Sequence, residues 1–272
     1  MEHVQRIDLF RSEAAAFEQA ARHALDPGGA PPLVPACPDW SVSDLVGHLG
    51  GVQRYVAHLL REGLQERPDP SDLSLYDLPD DPAALAAWPR PERAPNREPV
   101  PDALTAWFTQ GAEQLATVFG EVGPDLPVWT WAPERTSGFW LRTQVIELAV
   151  HRWDAQSATG TPTPLDPALA TDAVSQTLEV MAPARRSWCA PPAGKGERYR
   201  FRRTDGPESW TVVFAGDEVL LEPGSTAPVD VEAAGSASDL ALFLWGRLAA
   251  TDLKATGDET LLPHWFTLVP SV

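Results

Sequence analysis

A glutamate and a histidine four residues apart stand out in the segment RTQVIELAVHRWDAQSATG. Glu147 and His151 have the spacing that places two side chains on one face of an α-helix, with Cβ atoms about 5–6 Å apart. A carboxylate and an imidazole so placed can bind one metal ion, and Asp154 is spaced to accept a proton from the imidazole. The same residues also fit a solvated ion pair and an exposed helix surface, so their spacing leaves both interpretations open.

A second histidine, His48, lies in the segment DLVGHLGG, flanked by Gly47, Gly50 and Gly51. Glycine inside a helix costs up to about 1 kcal/mol against alanine, so we expect a helix or a ligand to approach closely here. Two histidines and one carboxylate are a common set of catalytic zinc ligands, and they leave a coordination position open for water or a substrate atom. His48 equally fits a buried core histidine whose hydrogen bonds are satisfied.

Apolar residues recur at three- to four-residue spacing through the first half of the chain, which is typical of long helices. This periodicity predicts helices over residues 4–25, 42–64, 102–119 and 137–158. Ser41 and Asp44 have nearly the spacing of a capping box at the start of the second helix. Four helices of such length suit a four-helix bundle. Residues 66–100, rich in Pro and Asp, predict a long irregular segment with at most a short helix near residues 83–88.

The second half of the chain has a different sequence pattern, in which short strand-like runs occur beside helical segments. A fifth helix is predicted over residues 165–182 and another over 237–249, and Cys189 falls in a proline-rich linker. Strands are predicted at RYRFRRT, SWTVVFA, EVLLEP, APVDVEAAG and LKATG. The predicted fold class is α+β: a four-helix bundle in residues 1–165, followed by a small α+β domain with a mostly antiparallel sheet in residues 166–272.

Charge and composition limit the classes of partner. With 21 basic and 38 acidic residues the formal net charge is -17, so we expect neither nucleic acid nor an anionic membrane as partner. The chain has no apolar run near the roughly 20 residues that cross a bilayer and no apolar secretory segment. Its two cysteines are expected to be free thiols, and the expected location is the cytoplasm. The oligomeric state stays open.

Three segments together resemble the mycothiol-dependent maleylpyruvate isomerase family, within the DinB-like metalloenzymes. They are CPDWSVSDLVGHLGGVQRYV, the segment that contains Glu147 and His151, and ALFLWGRLAATDLKATGDETLLPHW. The resemblance implies a DinB-like four-helix bundle, His48, Glu147 and His151 as ligands of a divalent metal, zinc, and mycothiol as the thiol partner. It also implies that Arg247 holds a substrate carboxylate through its paired donors. A surface arginine near a helix end is the other interpretation of Arg247.

The resemblance also implies a reaction. In the family's named reaction a thiolate adds to a conjugated cis double bond, the resulting single bond rotates, and loss of the thiol leaves the trans isomer. We therefore expect a metal- and mycothiol-dependent isomerase or thiol transferase acting on a small, maleylpyruvate-like electrophile. Two alternatives remain, namely a zinc-dependent hydrolase or lyase that uses metal-bound water, and a non-catalytic protein that binds a small ligand.

Overall fold

The chain forms two compact units, Met1–Thr163 and Pro164–Val272. The structure is a computed structural model that describes residues 1–25, 29–101 and 103–270. The first unit is helical and the second is built around a sheet, so the predicted α+β class is confirmed. Within the described ranges, no helix is both long enough and apolar enough to cross a bilayer.

Four long helices form the first unit, and a short fifth lies between the second and third of them. They are α1 (His3–Ala24), α2 (Val42–Glu62), the short α3 (Pro82–Ala86), α4 (Ala103–Val122) and α5 (Ser137–Ser157). Helix α1 packs against α4 and α5, and α2 packs against the same two, which encloses one apolar core. The four predicted long helices are therefore confirmed, although residue 102, the expected start of the third, lies outside the described residues.

A buried ion pair joins α1 to α5. Arg152 Nε donates to Glu13 Oε2 at 2.6 Å, and the two side chains are only 5% and 10% exposed. The Arg152 guanidinium also donates to Gln156 Oε1 and to the carbonyl and hydroxyl of Thr163. Because a charge in an apolar core needs a partner, this pair is a strong constraint on the packing of the two helices.

The irregular segment between α2 and α4 is held to the bundle by specific hydrogen bonds. It contains α3 and two 3-10 turns, Leu73–Tyr76 and Pro91–Arg93, in agreement with the expectation of at most one short helix. The indole Nε1 of Trp107 on α4 donates to the carbonyls of Tyr76 and Asp77, each at 3.0 Å. Before α2, a short antiparallel pair of strands, β1 (Leu33–Val34) and β2 (Cys37–Ser41), leads the chain into the helix.

The second unit contains a five-stranded sheet. Its strands are β3 (Gly194–Arg203), β4 (Ser209–Gly216), β5 (Glu218–Leu221), β6 (Val231–Gly235) and β7 (Lys254–Gly257), and its order is β5-β4-β3-β6-β7. Only the pairing of β3 with β6 is parallel among the pairings described, so the mostly antiparallel sheet is confirmed. Its helices are α6 (Pro167–Gln176), α7 (Ala182–Cys189), α8 (Ala237–Leu244) and α9 (Leu261–Leu268).

Two helix predictions in this unit were wrong in extent. The fifth helix was expected to end at residue 182, but a π-helical turn, Thr177–Met181, continues α6 directly into α7. Cys189 is therefore the last residue of a helix rather than part of a linker. Pro183 accounts for the π-turn, because it lacks the N–H that an α-helix would use there. Helix α8 ends at residue 244 instead of 249, since Gly246 adopts a left-handed φ of 74°.

Candidate metal centre

The start of α2 is fixed by a buried capping box that lies one turn before His48. Ser41 N–H donates to Asp44 Oδ2 at 2.8 Å, and the Ser41 hydroxyl accepts from Asp44 N–H at 3.4 Å. The N–H of Asn96, from the irregular segment, donates to the same carboxylate at 2.9 Å. The predicted cap is confirmed, and its hydrogen bonds set the position of the helix that carries His48.

Helices α2 and α5 bring the three predicted metal ligands to one place. His48 Nε2 lies 2.9 Å from Glu147 Oε1. The rings of His48 and His151 have centroids 5.4 Å apart and are nearly perpendicular, at 81°. One ligand atom from each of the three residues lies within 4.8 Å of the other two. This juxtaposition of two imidazoles and a carboxylate is the main chemical feature of the first unit.

Hydrogen bonds on the far sides of two of these groups fix their orientation. His151 Nδ1 lies 2.9 Å from Oδ2 of the fully buried Asp154. Since a carboxylate only accepts, Nδ1 carries a hydrogen, and in the neutral ring Nε2 then has the lone pair that a metal would need. Gln144 Nε2 donates to Glu147 Oε2 at 2.9 Å. The sequence analysis missed Gln144, whose only signal was its position three residues before Glu147 on the same helix.

The local charges keep Glu147 ionised. Burial tends to raise the pKa of this carboxyl group, but the hydrogen bond from His48, the charges of both histidines and the bond from Gln144 outweigh it and hold the pKa below its usual value. Side-chain exposure falls from 29% for His48 to 18% for Glu147 and 9% for His151. An anionic oxygen therefore faces two imidazoles in a site that reaches solvent on the His48 side.

Trp40, the residue before the capping serine, flanks both imidazoles. Its ring centroid lies 5.1 Å from that of His48, at 72°, and 6.4 Å from that of His151, at 10°. Contacts of this kind limit the rotamers of both histidines. Trp40 of the short strand β2 therefore contacts one histidine on α2 and one on α5.

The glycines around His48 are explained by protein groups rather than by a ligand. A Cβ on Gly50 would lie 2.2 Å from the Trp107 ring, and one on Gly47 would lie 3.2 Å from Pro89. The expected close approach is confirmed, and it comes from helix α4 and from the irregular segment. Gly51 differs from the other two, because a Cβ there would meet only Tyr76, at an ordinary 3.8 Å.

This difference predicts opposite effects of two alanine substitutions on neighbouring residues. Gly50→Ala should lower the free energy of unfolding by about 1–3 kcal/mol, since the new methyl group must displace the Trp107 ring. Gly51→Ala should raise it by up to about 1 kcal/mol, because alanine favours the helix and has room there. Urea unfolding of both variants measures the two changes. Equal destabilisation by both substitutions would contradict this packing.

The donor set fits a divalent metal. Two imidazoles and one carboxylate are the ligands of many zinc sites, and they also suit other borderline divalent ions. Hydrogen bonds to Asp154 and Gln144 are the outer contacts that metal-binding histidines and carboxylates usually have. The fourth predicted site residue, Arg247, belongs to the second unit.

Arg247 directly follows the left-handed Gly246 at the end of α8. Its N–H donates to the carbonyl of Leu242 at 2.7 Å, while that of Gly246 donates to Phe243 at 2.8 Å, which is the Schellman pattern. Nη1 of Arg247 donates to the carbonyl of Trp245 at 2.7 Å. Arg247 therefore lies directly after the end of α8, in a backbone conformation fixed by these bonds.

Comparison with known proteins agrees with the fold. The family model of the mycothiol maleylpyruvate isomerase N-terminal domain matches residues 10–156, more than half of the chain. The model of the MDMPI C-terminal domain matches residues 168–264.

The chain belongs to the mycothiol-dependent maleylpyruvate isomerase family. Its members are mycothiol-dependent enzymes, so the recognition from sequence is confirmed.

Two crystal structures from this family share the fold. A mutant of the mycothiol-dependent maleylpyruvate isomerase matches with a TM-score of 0.60 and 13% identity, over 94% of this chain and 93% of that chain. A second structure of the isomerase matches with a TM-score of 0.57 and 14% identity over the same shares. Identities this low support the fold alone. No curated protein matches the chain.

Proposed function

We propose that this member of the isomerase family uses mycothiol to isomerise a small, maleylpyruvate-like electrophile, or to transfer the thiol to it, at a zinc site formed by His48, Glu147 and His151. One observation carries the proposal: two imidazoles and a carboxylate from separate helices converge in a chain whose family is mycothiol-dependent. The proposed reaction is addition of the thiolate to one carbon of a conjugated cis double bond, rotation about the resulting carbon–carbon single bond, and expulsion of the same thiolate from the adduct, which re-forms the double bond in the trans product.

The residues around the centre prepare it for this chemistry. A divalent ion held by His48, Glu147 and His151 would keep an excess positive charge and would favour the deprotonated form of a thiol near neutral pH. Asp154 holds the tautomer of His151, and Gln144 holds the second oxygen of Glu147. Trp40 restrains both rings, so the three ligand atoms need little reorganisation.

The two units have separate roles in the proposal. Residues 1–165 form the metal-binding domain, and residues 166–272 form the domain that contributes Arg247. The guanidinium of Arg247 binds a substrate carboxylate through paired N–H donors. Its Schellman motif supports this role, because the motif fixes the backbone directly before and at the arginine. The cytoplasmic location and the lack of nucleic-acid and membrane partners stay predictions.

An assay of maleylpyruvate isomerisation by the purified chain tests the proposal. We expect turnover that requires added mycothiol, is lost after treatment with a chelator, and returns when zinc is restored. Millimolar mycothiol should also raise the melting temperature of the zinc-loaded protein by mass action. Metal-dependent turnover at the same rate without thiol would contradict the proposal and favour a hydrolase or lyase. A chain with no turnover and no bound metal would favour a ligand-binding protein.

A further inference from the structure

The second unit contains a buried arginine with a donor that no protein group satisfies. Arg185, on α7, is only 6% exposed, and its buried Nε has no hydrogen-bond partner. A buried N–H of a charged group that has no acceptor carries a free-energy cost, which natural sequences avoid unless the group serves another purpose. Arg186, the next residue of α7, provides a comparison, because its hydrogen bonds are those of a structural arginine.

Arg186, also nearly buried, has a full set of protein acceptors. Its guanidinium donates to the carbonyls of Asp217, Leu268, Pro192 and Gly216, at 2.7–3.3 Å. It therefore ties the end of α7 to the sheet and to α9. Within the part of the chain that the structure describes, Nε of Arg185 has no such acceptor, so its burial is not explained by a similar structural role.

A second guanidinium lies at the same tryptophan. The Arg185 guanidinium carbon is 6.0 Å from the centroid of the Trp245 ring, and Arg247 Nη1 donates to the Trp245 carbonyl at 2.7 Å. Burial, and after it the charge of Arg247, hold the pKa of Arg185 below its usual value. An anion that accepts from the unsatisfied Nε of Arg185 would compensate this buried charge.

The tryptophan itself is held by the irregular turn of the helix. Trp245 Nε1 donates to the hydroxyl of Thr177, at 3.1 Å, and Thr177 is the first residue of the π-helical turn. Such turns within helices are found frequently at functional sites. Here the turn places its threonine against Trp245 shortly before the helix reaches Arg185.

We propose that Arg185 and Arg247 together bind a carboxylate group of the substrate, with Trp245, which lies near both, as a fixed support. This inference rests on the proposed function for the role of Arg247 and adds Arg185 as a second substrate-binding residue. Two guanidiniums offer planar N–H pairs that match a carboxylate, whereas ammonium groups do not. The ligand class is a small carboxylate anion, and a ligand with two carboxylates suits the paired charges best.

Calorimetric titration of the chelator-treated, full-length chain with maleate tests the inference without metal or thiol. Arg185→Met keeps the apolar stem and removes the donors, so we expect it to weaken maleate binding by about 10- to 100-fold. Arg185→Lys keeps the charge but loses the planar pair of N–H donors, so its affinity for maleate should lie between those of the wild type and of Arg185→Met. The matched control is Arg202→Met, at an exposed arginine of β3 paired with Glu232, and it should leave binding unchanged.

Stability gives a second measurement that separates a binding role from a structural one. Without ligand, Arg185→Met should melt no lower than the wild type, because it removes an unsatisfied buried charge. Arg186→Met should melt clearly lower, because it leaves several carbonyls without a donor. Arg185→Met binding maleate as tightly as the wild type, or melting as low as Arg186→Met, would overturn the inference.

Inorganic phosphate serves as a second probe of the kind of anion that binds. Tight binding of inorganic phosphate with no binding of maleate would overturn the assignment to carboxylates. Because the titration needs neither zinc nor mycothiol, a loss of thiol-dependent turnover would leave this result intact. Conversely, maleate binding that is unchanged by Arg185→Met would overturn this inference without affecting the proposed function.

Discussion

Glu147→Gln should lower the affinity of the chain for zinc by more than 100-fold and remove mycothiol-dependent turnover with it. The substitution keeps the shape of the side chain and removes the negative charge that the two imidazoles share. Loss of an outer-shell partner typically costs about 10- to 100-fold in metal affinity, and loss of a ligand should exceed this. Competition titration against a chromophoric chelator measures the change directly.

Two further variants should show graded effects on the affinity for zinc. Asp154→Asn keeps both imidazoles but weakens the contact that sets the tautomer of His151, so the affinity should fall by about 10- to 100-fold. His58→Ala is the matched control, because His58 lies on α2 with His48 but outside the three-residue cluster. It should leave zinc affinity unchanged. Equal losses in all three variants would indicate general unfolding rather than a site.

The second large effect concerns stability. Glu13→Leu should lower the free energy of unfolding by about 3 kcal/mol, because it removes the Glu13 carboxylate from the buried Arg152 guanidinium. We place the effect at the lower end of the usual range, since Gln156 and Thr163 still accept from Arg152. At about 2–4 °C per kcal/mol, the melting temperature should fall by roughly 6–12 °C.

A double variant separates the effect of the lost ion pair from the effect of changed side-chain packing. Glu13→Leu combined with Arg152→Met removes both charges, and apolar replacements of buried pairs are often neutral. The double variant should therefore recover most of the stability that the single variant loses. A double variant less stable than Glu13→Leu alone would contradict this account of the α1–α5 contact. The zinc affinity of the folded single variant should stay unchanged, because Glu13 is not among the proposed ligands.

The pattern of apolar residues was sufficient to predict the helices that carry the site. Glu147 and His151 share a face of α5 because residues four apart always do so in a helix. The capping box of Ser41 and Asp44 could also be read from local spacing. The distance from His48 to this pair could not, because His48 and Glu147 are 99 residues apart in the sequence and the approach of α2 to α5 depends on packing. The family resemblance supplied that link before the structure did.

Features that depend on tertiary neighbours were out of reach of the sequence analysis. Gly50 signalled a close approach, but nothing in the sequence identified Trp107 as the group that approaches. Pro183 indicates an irregular turn, but the apolar residues on both sides of it have helical spacing. The sequence therefore did not show where the α-helix is interrupted. Arg185 and Arg186 look alike in sequence, and only their hydrogen bonds distinguish them.

Native mass spectrometry of the purified chain tests the central claim most directly, because it reports a bound metal ion and a retained thiol together. We expect one divalent ion per wild-type chain, no ion in the Glu147→Gln variant, and additional mass from mycothiol only in chains that retain the ion. A wild-type chain without metal, or an ion retained equally by the Glu147→Gln variant, would contradict the assignment of these three residues as ligands.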